Sequence, residues 1–308
     1  MNILITDSVD RIFIELLEKN NINYKYDTSI FADDVLQIID NFDGIIIRNR
    51  LNLNKSFLNH AKGLKFIARY GSGMESIDLE TANRLNIQCF NSASGNANSV
   101  AEHTTGLLLC LLHNITKSTK ELYGHRWDRE GNRGTELEGK TIAIIGYGTT
   151  GSLFAKKLMS FNCNIIAYDK YKFDYGNSII KETNMSTIYN EADVISFHVP
   201  LNTETTHLLN NKFIEKMKKP FYLLNTSRGG VVSNNALIHG LQEKQIIGAG
   251  LDVIENENKS FNDIKIDENF NYLLNCDNVI LTPHIAGLSK EANRKLSEVL
   301  IKKILELK

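Results

Sequence analysis

Residues 141–169 read TIAIIGYGTTGSLFAKKLMSFNCNIIAYD. A short apolar, β-like run leads into Gly146-x-Gly148-x-x-Gly151, residues 152–159 can continue as a helix, and a second apolar run ends at Asp169. In this strand–turn–helix–strand setting the first glycine serves the tight turn. The second lets backbone approach a pyrophosphate, and the third lets helix and strand pack closely. Tyr147, Thr149 and Thr150 fill the motif between the glycines, and the helix start offers unpaired N–H groups and dipole to phosphates. The acid lies 18 residues beyond the last glycine, where it can accept hydrogen bonds from ribose hydroxyls and favour NAD over NADP. Lys170 and Lys172 stand beside it, and long cations there are able to receive a 2′-phosphate instead.

At 308 residues the chain exceeds what one hydrophobic core usually supports, and roughly 140 residues precede the fingerprint. Two domains are therefore expected. The formal charge is −1, and no dense Lys/Arg block argues for nucleic acid as a partner. The longest strongly apolar stretch, GLLLCLL at 106–112, is too short to span a bilayer and reads as a buried helix. Cys89, Cys110, Cys163 and Cys276 are widely separated, with no CxxC and no secretory leader. Four buried thiols in a reducing, cytoplasmic compartment are expected, and no metal site is read.

Strand and helix signals alternate through the N-terminal part. Strands are expected at 2–6, 44–47, 64–68 and 87–90, and helices at 11–18, 32–39 and 79–85. A long helix is expected from Ser99 to about Tyr123, with Ser99 and Glu102 as a capping box. A polar linker, 124–140, follows. Beyond the fingerprint, strand-like runs recur at 165–168, 194–199, 221–225, 248–253 and 279–281. The expected class is α/β, with two doubly wound parallel-sheet domains, the second a Rossmann-type nucleotide-binding domain. The amphipathic tail, 290–307, is expected to pack back on the first domain. That gives a substrate-binding domain of residues 1–97 plus 287–308 and an NAD-binding domain of residues 98–286. Two crossings would make a hinge over a ligand cleft.

Proline occurs only at 200, 220 and 283, and Pro200 and Pro283 each close a strand near where a cofactor would lie. Three polar residues follow late strands. Arg228 sits between Leu223-Leu-Asn-Thr-Ser227 and Gly229-Gly230, where a guanidinium fork can hold a carboxylate bidentately. Glu257 lies beyond the strand that ends at Asp252, and His284 follows Thr282-Pro283. A histidine beside a carboxylate is held in one tautomer and can exchange a proton with an alcohol or carbonyl. Spacing alone equally allows a surface cap for Arg228, a solvated loop acid for Glu257 and a structural role for His284.

Nearly the whole chain resembles the D-isomer-specific 2-hydroxyacid dehydrogenases of the phosphoglycerate dehydrogenase-like family. The similar segments are Ala68-Arg-Tyr-Gly71-Ser-Gly73 through Asp78, Asn98-Ser-Val-Ala-Glu102, Glu136-Leu-Glu-Gly-Lys140, His198-Val-Pro-Leu201, Asn225-Thr-Ser-Arg228-Gly, Gly250-Leu-Asp252-Val and Leu281-Thr-Pro-His284-Ile-Ala-Gly287. The resemblance implies Arg228, Glu257 and His284 as catalytic arginine, glutamate and histidine, and Asp252 as a contact of the nicotinamide carboxamide. It also implies cofactor contacts from His198, Val199, Pro200 and Thr226, substrate contacts from Ser72 and Gly73, and a homodimer built around the nucleotide domains. Arg228 would hold the substrate carboxylate, His284 would pass the alcohol proton, and Glu257 would orient the imidazole.

Arg48 and Arg50 flank Asn49 directly after an apolar run. They are read either as a phosphate site, similar to an arginine pair of phosphoglycerate dehydrogenases, or as ordinary surface arginines. The expected reaction is oxidation of 3-phospho-D-glycerate to 3-phosphooxypyruvate, a serine-biosynthetic step. Glyoxylate, hydroxypyruvate or another small 2-hydroxy acid is the alternative substrate, and a dinucleotide-sensing corepressor the alternative class. Asn258 stands where the family usually has proline, and Ser233 where an acid is common. The chain ends at 308, so an extra C-terminal regulatory domain controlled by serine is not expected.

Overall fold

The computed structural model describes residues 1–257 and 264–307. Two compact units divide it, one holding Met1–Ala97 together with the described residues from Leu288 onward and the other holding the described residues between 98 and 287.

In the first unit strands and helices alternate: β1 (Asn2–Ile5), α1 (Arg11–Lys19), β2 (Asn23–Tyr26), α2 (Ala32–Ile38), β3 (Gly44–Ile47), α3 (Lys55–His60), β4 (Phe66–Arg69), α4 (Leu79–Arg84) and β5 (Gln88–Asn91). The sheet order is β2-β1-β3-β4-β5, every pair parallel. Parallel neighbours require crossovers, so helices cover both faces and the inner strands become apolar throughout. Accordingly every residue of β3 and β4 is buried. Leu4, Ile45, Ile47 and Ile67 pack into one core, while Ile3, Ile5, Ile46 and Ala68 pack into another. Helix starts are fixed locally: Asp10, Asn54 and Asp78 accept hydrogen bonds from N–H groups of the first turns of α1, α3 and α4.

The second unit opens with α5 (Ala97–Leu112) and α6 (Ile115–Tyr123). The single helix expected from Ser99 to Tyr123 is thus two, because Asn114 adopts left-handed backbone geometry (φ 52°) between them. The capping box is also corrected. Ser99 lies inside α5 and donates to the Ala286 carbonyl at 2.7 Å, while Glu102 pairs with Lys157 at 3.0 Å. Then follow β6 (Thr141–Ile145), α7 (Thr149–Leu158), β7 (Asn164–Tyr168), β8 (Ile180–Glu182), α8 (Met185–Glu191), β9 (Val194–Phe197), α9 (Asn211–Lys216), β10 (Phe221–Asn225), α10 (Asn234–Gln242), β11 (Ile246–Leu251), α11 (Glu268–Asn275) and β12 (Val279–Leu281). The order β12-β11-β10-β9-β6-β7-β8 is wholly parallel. The chain winds outward from β6 in both directions, so β6 and β9 flank the point where the order reverses. Ligands of such sheets bind at the carboxyl ends of strands at that point.

The last helix, α12 (Lys290–Leu305), belongs to the first unit. Its Leu296, Leu300, Ile301 and Ile304 join a core with Phe13, Phe66 and Tyr70. The Tyr70 hydroxyl donates to the Asn293 carbonyl at 3.0 Å and lies 2.9 Å from Ser297 Oγ. The cysteines depart from expectation: all four are half-buried rather than buried, and none is disulfide-bonded among the described residues. Burial still pushes the Cys89 thiol up to about 11. No described helix is long and apolar enough to cross a membrane.

Candidate dinucleotide and catalytic site

The glycine motif lies at the carboxyl end of β6. Gly146 takes φ +95°, and a Cβ there would sit 2.5 Å from the His198 carbonyl oxygen. A Cβ on Gly151 would meet the Gly146 carbonyl oxygen at 2.1 Å. Gly148 differs, since a Cβ there meets no atom within 4 Å. The motif's outer glycines are therefore required by the protein's own packing, whereas the middle one borders open space. Gly148 is the N-cap of α7 and offers no side-chain cap, so the first amides, those of Thr149, Thr150 and Gly151, are not capped by it. Open space beside uncapped amides at a helix start is the arrangement a pyrophosphate needs, and the residues fit a dinucleotide.

Asp169, just past β7, closes the turn from the other side. Its Oδ2 accepts from the Tyr147 N–H at 2.9 Å, and its Oδ1 accepts from the N–H groups of Tyr171 at 2.9 Å and Lys172 at 3.2 Å. Lys170 is paired with Glu204 at 2.7 Å, and Lys172 Nζ donates to the Tyr147 carbonyl at 3.2 Å. The Tyr147 ring stacks on Tyr175 with centroids 4.5 Å apart.

His198, Val199 and Pro200 follow β9 and neighbour the glycine turn; the His198 N–H donates to the Ile145 carbonyl at 2.8 Å. The His198 ring lies against Phe154, centroids 5.3 Å apart, and its Nε2 is 2.8 Å from Ser196 Oγ. Burial pushes the imidazole down to about 3, so it is neutral at ordinary pH. Pro200 accepts from the Thr205 hydroxyl at 2.6 Å. Thr226, buried after β10, shares a 2.8 Å hydroxyl contact with Thr104.

The three candidate catalytic residues come from three strand ends. His284 Nδ1 is 2.6 Å from Glu257 Oε2, and Glu257 Oε1 accepts from the Ile254 N–H at 2.6 Å. Both carboxylate oxygens are thus used, one to fix the acid and one to fix the imidazole tautomer. His284 has φ 54°, a left-handed conformation that surrounding contacts must hold. Asp252 supplies them: 2% exposed, its carboxylate accepts from the Thr282 hydroxyl at 2.6 Å, the Ile285 N–H at 2.9 Å and the Ala286 N–H at 2.8 Å. His103 approaches the same group, with Nε2 3.0 Å from Thr282 Oγ1 and 3.5 Å from Asp252 Oδ1. Arg228 begins the turn after β10 and donates from Nη1 to the Ser227 carbonyl at 2.7 Å.

Sequence reading missed several supports of these residues. Asn225 is fully buried, accepts from the Ser227 N–H and hydroxyl, and donates to the Arg228 carbonyl at 3.0 Å. Asn-x-Ser at a strand end is an Asx-turn signal that would have found it. Glu255 accepts from His207 Nε2 at 2.5 Å and from the Asn234 N–H at 3.0 Å. It caps α10 where Ser233 forms no side-chain cap. Asn258 lies outside the described residues.

In the first unit the arginine pair is turned to main chain. Arg50 donates to the carbonyls of Ile30 and Thr6, both at 2.6 Å. Arg48 contacts the Ser8 carbonyl at 3.4 Å and stands 5.6 Å from the centre of the Tyr70 ring. The Gly71 N–H donates to Ser92 Oγ at 3.0 Å, and the Ser72 carbonyl accepts from Asn91 at 2.7 Å. Among the described residues the Ser72 and Gly73 N–H groups have no acceptor. Arg69, buried at the end of β4, donates to the Tyr70 carbonyl at 2.7 Å and to Asn49.

Residues 105–286 match the model of the D-isomer specific 2-hydroxyacid dehydrogenase, NAD binding domain. The chain belongs to this family. It is 35% identical over 274 residues to a hydroxypyruvate reductase of Thermotoga maritima, covering 89% of this chain and 87% of that one. It is 33% identical over 313 residues to a D-3-phosphoglycerate dehydrogenase of Methanocaldococcus jannaschii, covering 99% of this chain and 57% of that one. The chain thus spans little more than half the length of that longer relative. Among solved structures, D-lactate dehydrogenase of Aquifex aeolicus, complexed with NAD and lactic acid, aligns with TM-score 0.84 and 26% identity, covering 100% of this chain and 95% of that one. The family's members are nicotinamide-dependent oxidoreductases, and the second unit is a domain that binds NAD(P).

Proposed function

We propose that the chain is an NAD-dependent D-2-hydroxyacid dehydrogenase in which Arg228 holds the substrate carboxylate and His284 exchanges the hydroxyl proton. The observation that carries this is the 2.6 Å contact of His284 Nδ1 with Glu257, itself fixed by the Ile254 N–H. With Nδ1 engaged, Nε2 is the atom that gives or takes the proton. Glu257 orients the ring and fixes its tautomer. When bound, nicotinamide supplies the hydride chemistry. The protein's own part is positioning and charge complementarity. Asp252 acts through the turn it anchors, keeping His284 in its left-handed conformation. Asp169 receives the adenosine ribose, which favours NAD over NADP.

For the substrate, 3-phospho-D-glycerate is supported by phosphoglycerate dehydrogenase relatives that align over 96–100% of this chain, with Arg48 and Arg50 as the phosphate ligands. Hydroxypyruvate or glyoxylate is favoured by one observation: both terminal nitrogens of Arg50 already serve carbonyls. Steady-state rates with NADH on 3-phosphooxypyruvate, hydroxypyruvate and glyoxylate decide between them. If Arg48 and Arg50 bind phosphate, changing both to Ala raises KM for the phosphorylated acid far more than for the others; equal losses remove that substrate. Dinucleotide binding without turnover on any 2-oxo acid would instead identify a sensor.

A homodimer is supported by Leu122, Tyr123 and Trp127, which are 52%, 83% and 80% exposed within six residues of sequence. Large apolar side chains clustered in this way mark association surfaces. Sedimentation should give twice the chain mass, falling to one chain in Trp127→Glu.

A further inference from the structure

The turn after β7 and the loop after β9 together place two acids and two cations around the position proposed for the adenosine ribose. Asp169 Oδ1 accepts from the Tyr171 and Lys172 N–H groups at 2.9 and 3.2 Å, so the backbone of 169–172 is folded onto the acid and its side-chain directions are set. Glu204 comes from the loop after β9. It bonds Lys170 Nζ through Oε1 at 2.7 Å and accepts from the Tyr171 hydroxyl through Oε2 at 2.5 Å. The ammonium also stands 5.5 Å from the centre of the Tyr171 ring. Glu204 is itself presented by a bonded loop: its N–H and that of Thr205 donate to Asn202 Oδ1 at 2.9 and 3.1 Å. Contact with Lys170 holds the Glu204 carboxyl below the usual carboxylate range and raises the Lys170 ammonium, so the pair is charged at neutral pH.

With Lys170 55% and Glu204 45% exposed, such a pair contributes little to stability. Its effect lies elsewhere. A phosphate on the ribose 2′-oxygen carries close to two negative charges and would meet the Asp169 carboxylate, with Lys170 the nearest sequence neighbour able to compensate. We infer that Glu204 is a specificity-determining residue: by engaging Lys170 and Tyr171 it withholds from a 2′-phosphate the cation and hydroxyl that would otherwise bind it. Lys172 differs, because its amine rests on the neutral Tyr147 carbonyl at 3.2 Å, and among the described residues no carboxylate pairs with it. The inference rests on the reading that Asp169 receives the ribose.

The test uses ligands that need no substrate. Calorimetric titration of the full chain with ADP-ribose and with 2′-phospho-ADP-ribose is compared for wild type, Glu204→Gln, and Glu204→Gln with Lys170→Ala. Glu204→Gln should tighten binding of the 2′-phosphorylated ligand by about fivefold, the scale of one exposed charge contact, and leave ADP-ribose within about twofold. Lys170→Ala should remove the gain. An unchanged ratio in Glu204→Gln, or a gain that survives Lys170→Ala, would overturn the inference while leaving the NAD preference intact. Equal binding of both ligands by the wild-type chain would overturn the preference, and this inference with it.

Discussion

His284 is held twice, by Glu257 on its ring and by the Asp252-anchored turn beneath its backbone. His284→Ala should therefore lower turnover by about 10²–10⁴-fold, the usual contribution of a positioned acid–base group, with NADH affinity nearly unchanged. A parallel loss of NADH affinity would mean that the residue supports the cofactor site instead. Glu257→Gln keeps the shape but replaces one of the two carboxylate oxygens that fix the ring and the Ile254 N–H with an amide nitrogen. Turnover should then fall in both directions of the reaction, with NADH affinity nearly unchanged. Unchanged kcat and kcat/KM in Glu257→Gln, with normal cofactor binding, would rule out a positioning role for Glu257. His198 makes a different demand. Burial lowers it from 6.5 to about 3, so the unfolded chain takes up the proton first as pH falls. Its contribution is fully present above about pH 6.5 and is lost progressively as pH falls toward 3. Urea unfolding should show wild type losing about 1 kcal/mol per pH unit relative to His198→Gln between roughly pH 6 and 5. Parallel curves would show that the folded imidazole protonates freely.

At the scale of elements, the glycine turn and α7 separate folding from binding. Gly151→Ala drives a Cβ to 2.1 Å from the Gly146 carbonyl oxygen, and overpacking of this kind costs about 1–3 kcal/mol. Gly148→Ala meets nothing in the protein, and its φ of −81° and ψ of −160° suit alanine. Thermal melts should find Gly148→Ala as stable as wild type, while its dinucleotide affinity drops by about tenfold or more because the backbone is held off the pyrophosphate. Normal affinity in Gly148→Ala would move the phosphates away from this turn. The same elements show what was legible. The fingerprint and the inner strands were visible because parallel strands buried on both faces are apolar runs between turns. The edge strands β2 and β8 escaped, since NYKY and IKE carry no such run. The break after α5 escaped too, because a single left-handed Asn114 has no periodicity to disturb until the chain is folded.

Over the whole molecule, the chain builds most of one unit, then the other, and returns to the first with α12. Leu300 is fully buried in the first unit's core, so Leu300→Ala should cost about 2–5 kcal/mol. Hydrogen exchange should locate the loss in β1, β3 and β4, with β6 and β9 protected as before. Uniform loss across both sheets would contradict the assignment of α12 to the first core. The sequence by itself determined the α/β class, the parallel winding, the dinucleotide motif and the residue types of the acid–base set, because each is written in local periodicity or short-range turn chemistry. Only tertiary structure decided that Glu257 meets His284, that Asp252 pins the turn beneath it, that Arg50 serves carbonyls and that Glu204 engages Lys170. These contacts join residues 20 to 44 positions apart, and their geometry exists only once the crossovers have brought separate strand ends together.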